Sequence, residues 1–243
     1  MFVDGDDLLK KDWIGIINKS DYKNYECTFF SKDISNIQMD KRELLENALG
    51  MLNGANIAST VSKIYNKNFL KNNKIELDSQ LINGEDMIFN VKCIAKIKSY
   101  KIINQSFYKY RINNKSATHN FNEKIFKTDK YFQYKLKEIL DNDTNYAEEY
   151  KLQIEYFNLA SAIYVLCDRI AYEKKIKSRM KYYKLINSYP YNNLEIKRLH
   201  LDKWVKIINV LVKMHLYILI DFYFKRKHYK NLGKKGKEYF MDF

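Results

Sequence analysis

A change in hydrophobic periodicity near residue 120 constrains the fold of this chain more than any other feature of its sequence. Before it, short apolar runs of strand-like composition alternate with amphipathic helical stretches, whereas from Glu123 onwards nearly all apolar spacing is helical. Breaks divide this second part into several helices and lie near residues 141–144, 188–193 and 232–236. We therefore predict an α/β region over residues 1–120 and a basic α-helical region over residues 121–243.

Apolar spacing also predicts the individual elements of the first region. Residues that recur every three or four positions predict helices over 8–17, 40–52 and 68–73, and from Glu85 onwards. Runs rich in Tyr, Phe and Ile predict strands over 25–30, 100–103 and 106–112. Residues 58–65 fit either a strand or a turn.

The stretch 204–224 approaches the roughly 20 residues of a membrane-spanning helix. Polar and charged residues interrupt it at short intervals, namely Lys206, Asn209, Lys213, His215 and Asp221. We therefore do not expect it to cross a bilayer. Two interpretations remain: a core helix of the helical region, or an amphipathic helix on an anionic membrane, next to the lysine-rich stretch 225–237.

Composition limits the classes of function. A formal net charge of +14 over 243 residues favours polyanionic partners, which include nucleic acid, anionic membranes and phosphorylated small molecules. Cys27, Cys93 and Cys167 are far apart and lack a C-x-x-C pair, so the sequence indicates neither a disulfide framework nor a zinc site. With acidic residues where a signal peptide would be basic, we expect a cytoplasmic protein.

Two acidic clusters carry the chemistry. Gly84 precedes Glu85 and Asp86 at the start of a predicted helix, where free N–H groups and the helix dipole favour negative charge. Such a carboxylate can act as a general base, although helix capping is the simpler explanation of the same residues. The second cluster, Asp4, Asp6 and Asp7, follows the apolar Phe2-Val3, and carboxylates so arranged suit a divalent cation.

Four motifs in this order resemble the family 2 glycosyltransferases with a GT-A fold, in their bacterial cell-surface polysaccharide branch. The motifs are Val3-Asp4-Gly5-Asp6-Asp7, Ser62-Lys63-Ile64-Tyr65 with Phe69-Leu70, Gly84-Glu85-Asp86-Met87-Ile88-Phe89, and Tyr108-Lys109-Tyr110-Arg111 with Ser116. The resemblance covers residues 1–120. It implies an incomplete, Rossmann-like GT-A sheet with flanking helices, followed by the helical extension.

The resemblance also implies an inverting transfer of a sugar from a nucleotide diphosphate sugar to a hydroxyl of a saccharide or lipid-linked acceptor. Asp4 and Asp6 match the D-x-D motif, in which Asp6 would bind Mg²⁺ or Mn²⁺ and Asp4 the metal or the ribose. Asp86 matches the catalytic base. Glu85 would cap the helix or position the acceptor.

The remaining site residues have weaker roles by resemblance. Lys63 and Arg111 would neutralise phosphate or hold the acceptor, although for Lys63 an ordinary solvated or salt-bridged lysine is the better explanation. Tyr108 and Tyr110 alternate along a strand, so that one faces the sugar and the other the core. His119 is a candidate third metal ligand, although a lone histidine in a polar loop is more often simply solvated. His200 and His228 are expected to be solvated surface residues.

One departure from the family is that the chain starts at its D-x-D strand, without the preceding nucleotide-binding half. We expect either a truncated product or a mis-assigned start, or else a split enzyme completed by a separate chain. The enzyme would act in the cytoplasm or at the inner face of the membrane. The alternative is a non-catalytic basic module that binds an anionic membrane or nucleic acid; no RNA-binding signature supports nucleic acid.

Overall fold

The computed structural model describes residues 1–32, 37–52, 57–112, 121–188, 190–194, 199–232 and 239–242. The chain divides into two compact units. The first consists of Met1–Asn113 with Glu238–Phe243, and the second of Asn114–Lys237. The first unit is mixed α/β and the second is helical, which confirms the predicted α/β class and helical extension.

The strands of the first unit lie in two three-stranded sheets. The described strands are β1 (Leu8–Leu9), β2 (Cys27–Phe30), β3 (Lys63–Tyr65), β4 (Tyr100–Ile103), β5 (Tyr108–Ile112) and β6 (Tyr239–Asp242). One sheet has the order β1-β5-β6 and is antiparallel throughout. The other has the order β3-β2-β4, in which β2 pairs antiparallel with β3 and parallel with β4.

Short helices flank these sheets. They are α1 (Trp13–Lys19), α2 (Lys41–Ala48), α3 (Lys67–Asn72) and α4 (Glu85–Lys96). Asp40 caps α2 through a capping box with Glu43, in which each side chain accepts a hydrogen bond from the backbone N–H of the other. The apolar side of α4 is buried, including Ile88 and Phe89. The helices α2 and α4 therefore follow the amphipathic patterns that predicted them.

The second unit contains five helices among its described residues: α5 (Lys124–Asp141), α6 (Glu148–Ile170), α7 (Ile176–Leu185), α8 (Lys203–Lys213) and α9 (Tyr217–Leu232). The central α6 buries residues along its whole length, from Tyr150 to Ile170. Its inner side packs in one core with Tyr183 of α7, Ile208 of α8 and Phe224 of α9. The broad apolar stripe of α6 is thus explained by neighbours on several sides.

Two helix predictions were wrong in part. Leu8 and Leu9 were assigned to a helix over 8–17 but form β1, because they pair with Lys109 and Tyr108 of β5, and the helix begins only at Trp13. The stretch 204–224 was treated as one helix, yet α8 ends at Lys213 and α9 begins at Tyr217.

The turn between α8 and α9 depends on His215, whose φ of 58° lies in the left-handed region. Its Nδ1 lies 2.8 Å from the hydroxyl of Tyr217, a contact that helps to hold this uncommon conformation. Within the described residues, no helix combines the length and the apolar content that crossing a bilayer requires.

The histidine predictions have three outcomes. His200 is exposed, as expected. His228 was expected to be solvated, which is wrong: it is 9% exposed, stacks on Tyr172 at 3.9 Å and contacts Asp168 at 3.3 Å. His119 and Ser116 lie outside the described residues.

Candidate active site

Asp86, the predicted base, lies in the first turn of α4 and is held by the segment that precedes β3. Its Oδ2 accepts hydrogen bonds from the Thr60 backbone N–H at 3.0 Å and the Ser59 hydroxyl at 3.2 Å, while Oδ1 accepts from the Thr60 hydroxyl at 2.9 Å. The side chain is half-buried. Three donors therefore fix the rotation of a carboxylate that still reaches the surface.

The start of α4 explains why Asp86 sits there. Gly84 takes a φ of 84°, a left-handed conformation that glycine adopts without steric cost, and its carbonyl accepts the first helical hydrogen bond from Ile88. Glu85 and Asp86 then occupy the first helical turn, where the helix dipole favours negative charge.

Glu85 is less well satisfied than Asp86. Its Oε2 is sealed from solvent and accepts no hydrogen bond from any residue in the described ranges. Burial raises the pKa of this carboxyl, and the charges of Asp86 and Asp4 raise it further. The protonated form of Glu85 is therefore favoured more than in an ordinary glutamate.

The turn that carries Asp4, Asp6 and Asp7 is fastened to β5. Asp7 Oδ2 accepts a hydrogen bond from the Tyr108 hydroxyl at 2.6 Å, and its Oδ1 accepts one from the Arg111 backbone N–H at 2.8 Å. The Asp4 backbone N–H donates to the same Tyr108 oxygen at 3.0 Å. Asp7 thus anchors the turn, and the side chains of Asp4 and Asp6 remain exposed.

Phe2 connects this turn to the segment that holds Asp86. It forms a parallel β-bridge with Val61, the residue after Thr60. Its ring meets Tyr65 at 5.8 Å and Phe89 of α4 at 5.4 Å, both edge to face. The two acidic clusters are consequently joined by both backbone and ring contacts.

The charges of the two clusters interact. Burial raises the pKa of Asp4, and the negative charges of Asp7, Asp86 and Asp6 raise it further, in that order. The charge of Asp86 therefore acts on Asp4, although the two residues are about 80 positions apart in the sequence.

The two tyrosines of β5 differ in burial, although residues two positions apart in a strand share one face and their spacing does not predict this difference. Tyr108 is fully buried, whereas Tyr110 is 39% exposed. Burial raises the pKa of Tyr110, with additional contributions from Asp7, Asp6 and Asp4. Tyr110 therefore borders the acidic cluster, and Arg111 contributes its backbone N–H to Asp7.

Lys63 lies deeper than its predicted role requires. It is 2% exposed, and its ammonium donates to the backbone carbonyls of Ser59 and Val61. Burial lowers its pKa to about 8, although Cys27 and Asp86 act in the opposite direction. This placement suits a residue that positions the Ser59–Thr60 donors better than one that touches a substrate.

The donor set can be compared with what a divalent cation needs. No group of three or more His, Cys, Asp or Glu side chains in the described part of the chain has metal-holding geometry. Mg²⁺, however, is commonly held by one or two carboxylates together with substrate phosphates and water. The exposed carboxylates of Asp4 and Asp6 fit that requirement.

Sequence reasoning missed three residues of the site. Ser59 and Thr60 orient Asp86, and Tyr108 was assigned no anchoring role even though it holds Asp7. The sequence around Ser59 and Thr60 does not indicate their role, because their hydroxyls donate to a carboxylate 27 and 26 residues away, respectively.

No protein-family model matches this chain, and no curated protein matches it either. Among solved structures, it is similar to residues 1–349 of S. aureus TarS, with a TM-score of 0.48 and 14% sequence identity. The same region in complex with UDP-GlcNAc gives a TM-score of 0.48 at 13% identity, and in complex with UDP 0.43 at 15%.

These similarities cover 95% of the present chain. They cover 66% of the TarS chain alone and with UDP, and 67% of the chain with UDP-GlcNAc. The chain therefore spans about two thirds of the length of the structures that it matches.

Proposed function

We propose that this protein is a glycosyltransferase that moves a sugar from a nucleotide diphosphate sugar to a hydroxyl of a saccharide or lipid-linked acceptor. The single observation that carries the proposal is that Phe2 joins the acidic turn to the segment that holds Asp86, through its β-bridge with Val61 and its ring contacts with Tyr65 and Phe89. Asp86 is oriented by Ser59 and Thr60, while Asp4 lies close enough to Asp86 for their charges to interact. The order of the motifs resembles that of family 2 glycosyltransferases with a GT-A fold.

Asp86 would act as the general base. As the acceptor oxygen attacks the anomeric carbon, the carboxylate takes the hydroxyl proton, the bond from that carbon to the diphosphate breaks, and the configuration inverts. The three hydrogen bonds to Asp86 keep the carboxylate in one orientation before the acceptor arrives. Such preorganisation lowers the cost of reaching the reactive geometry.

Asp4 and Asp6 would hold Mg²⁺ or Mn²⁺ at the diphosphate. The bound cation would neutralise charge on the leaving group. Asp7 is committed to Tyr108 and Arg111 and so supports the turn. A cation would also relieve the repulsion that raises the pKa of Asp4.

The positions of Glu85, Tyr110 and Arg111 support the substrate contacts predicted for them. Glu85 precedes Asp86 in the first turn of α4 and would help to position the acceptor. Tyr110 presents a partly exposed ring at the acidic cluster, a surface on which a sugar can pack. Arg111 follows it on β5 and would contribute its guanidinium to phosphate.

Titration calorimetry with Mn²⁺ and a panel of uridine, guanosine and thymidine diphosphate sugars tests donor binding. The panel includes UDP-GlcNAc, the ligand of one TarS structure. We expect binding that requires Mn²⁺ and that Asp6→Ala weakens on the order of tenfold or more. Asp12→Ala is the matched control, because Asp12 is an exposed carboxylate whose side chain makes no capping hydrogen bond.

Measurements of turnover distinguish the role of Asp86 as the base from the role of the residues that bind the donor. Asp86→Asn should lower the rate of sugar transfer or donor hydrolysis by roughly 10²- to 10⁴-fold and leave donor affinity within about threefold. If no donor binds in the presence of Mn²⁺, or if Asp6→Ala binds as the wild type does, the proposed donor site is wrong. Wild-type turnover by Asp86→Asn would instead contradict only the role of the base.

A further inference from the structure

Helix α9 has one side that is both apolar and exposed. Ile218 is 75% exposed, Phe222 64% and Tyr229 79%. These residues, with Leu219 and Arg226, recur every three or four positions and so share one side of the helix. The opposite side is buried and includes Ile220 and Phe224. The exposed side is therefore not needed for the core of the second unit.

The preceding helix also has an exposed side. On α8, Lys203, Lys206, Val210 and Lys213 share one side and are all exposed. In the turn between the helices, Met214 is 60% exposed and Leu216 is also exposed. We call this set the α8–α9 surface; it comprises Lys203, Lys206, Val210, Lys213, Met214, Leu216, Ile218, Leu219, Phe222, Arg226 and Tyr229.

All charged residues of α8 and α9 except Asp221 are cationic. Asp221 is the one acidic residue in the sequence from Lys203 to Lys237, and ten lysines and arginines occur in the same stretch. Asp221 is buried and forms an ion pair with Arg179 of α7, so it does not contribute to the surface. The exposed charges of the α8–α9 surface are therefore all positive.

We propose that the α8–α9 surface docks on an anionic lipid bilayer, with the aliphatic and aromatic side chains at the level of the acyl chains and the cations among the headgroups. Apolar side chains flanked by lysine and arginine bind such an interface by adding buried apolar area to electrostatic attraction. The stems of Lys203 and Lys206 can lie along the membrane while their ammonium groups reach phosphate.

The same features disfavour two other occupants. A second copy of the chain, placed face to face, would bring two sets of cations together without an acid to pair them. Nucleic acid would satisfy the cations, and Phe222 and Tyr229 could stack on bases, but Met214, Leu216, Ile218 and Leu219 would then stay exposed to water. An anionic bilayer satisfies the charge and the apolar residues at once.

Sedimentation with vesicles tests the proposal on the full chain. We expect the protein to sediment with phosphatidylcholine–phosphatidylglycerol vesicles and to stay in solution with phosphatidylcholine alone. Raising the sodium chloride concentration from about 0.1 M to about 0.5 M should weaken binding because exposed charges are screened. Ile218→Ser with Phe222→Ser should weaken it on the order of tenfold or more.

A matched pair of substitutions controls for the loss of exposed apolar residues elsewhere. Ile14 is 56% exposed and Ile176 59%, so Ile14→Ser with Ile176→Ser removes similar side chains outside the surface and should leave vesicle binding unchanged. Lys206→Gln with Arg226→Gln should weaken binding to anionic vesicles and reduce its dependence on salt.

Three results would overturn the proposal. The first is that the wild type does not bind anionic vesicles. The second is that the Ile218→Ser/Phe222→Ser variant binds them as well as the wild type does. The third is that light scattering shows a wild-type dimer, which this variant converts to monomer, while vesicle binding is absent. The last result would assign the surface to self-association. Asp6→Ala should bind vesicles as the wild type does, so the test is independent of the proposed transferase site.

Discussion

The hydroxyl of Tyr108 donates to a carboxylate oxygen of Asp7 at 2.6 Å and accepts from the Asp4 backbone N–H at 3.0 Å. This one phenol links β5 to the turn that carries the exposed acids, across more than 100 residues of sequence. Since its ring is fully buried, the hydroxyl cannot exchange these partners for bulk water without disturbing the core. The geometry of the acidic turn therefore depends on a core residue.

Tyr108→Phe should lower the free energy of unfolding by about 1–3 kcal/mol, because it leaves Asp7 and the Asp4 N–H without this partner while keeping the ring. Urea denaturation followed by circular dichroism measures the change. Tyr110→Phe is the control, since Tyr110 belongs to the same strand but is 39% exposed. Equal effects of the two substitutions would contradict the anchoring role of Tyr108.

Lys63 gives a prediction about pH. Burial lowers its pKa to about 8, below the ordinary lysine value of 10.5, so the unfolded chain binds more protons between these two values. At pH 7 the buried ammonium destabilises the folded state, and this destabilisation decreases as the pH rises. The contribution of Lys63 to stability should therefore increase with pH from about 8 to about 10.5.

The difference in unfolding free energy between the wild type and Lys63→Met isolates this contribution. It should grow in favour of the wild type with a slope that approaches about 1.4 kcal/mol per pH unit in this window. The wild-type curve alone is not sufficient, because burial raises the pKa of the nearby Cys27 and Tyr65, which has the opposite effect at high pH. A flat difference would contradict a buried, dehydrated ammonium.

How far the fold could be predicted depended on whether a signal was local. The start of α4 was predicted because Gly84, the two acids and the helical spacing all lie within a few residues. The strand Leu8–Leu9 was missed because its apolar residues fit either element, and only pairing with β5 decides between them. β6 near the C-terminus was missed for the same reason, since it adds to β5 from the far end of the chain.

The site shows the same limit. The exposed acids and their order were readable from the sequence. The different burial of Tyr108 and Tyr110 was not, because residues two positions apart in a strand share one face. The burial of Lys63 was not, because its partners are backbone carbonyls that no sequence pattern identifies. His228 was placed at the surface because nothing local pairs it with Asp168, which lies 60 residues earlier.

Ser62 gives a prediction about backbone strain. Its φ of 56° lies in the left-handed region, and its buried hydroxyl oxygen has no hydrogen-bond partner within the described ranges. Ser62→Gly should raise the free energy of unfolding by about 1 kcal/mol, because glycine takes this conformation without steric cost and the unsatisfied hydroxyl is removed.

Thr28→Val, measured by urea denaturation like Ser62→Gly, separates the effect of the unsatisfied hydroxyl from that of the left-handed backbone. Thr28 of β2 is also buried with an unpartnered hydroxyl within the described residues, but its backbone belongs to a regular strand. Thr28→Val should therefore raise the free energy of unfolding only through the loss of the unsatisfied hydroxyl. Destabilisation by Ser62→Gly would show that the serine side chain makes a favourable contact that outweighs the strained backbone.

The buried ion pair of the second unit gives the last prediction. Arg179 Nε donates to Asp221 Oδ1 at 2.6 Å and its Nη2 to Oδ2 at 2.8 Å. Since both side chains are about 90% buried, Asp221→Ala would leave a guanidinium without its carboxylate. We expect a loss of about 3–5 kcal/mol in unfolding free energy, measured with urea.

An exposed pair provides the comparison. Lys137 and Glu155 join α5 and α6 at 3.0 Å, but the lysine side chain is 49% exposed, so Lys137→Ala should cost no more than about 1 kcal/mol. Arg179→Met with Asp221→Leu should recover most of the stability, because no buried charge is then left alone. If this double variant were no more stable than Asp221→Ala, the loss would come from packing around Asp221 and not from the unpaired charge.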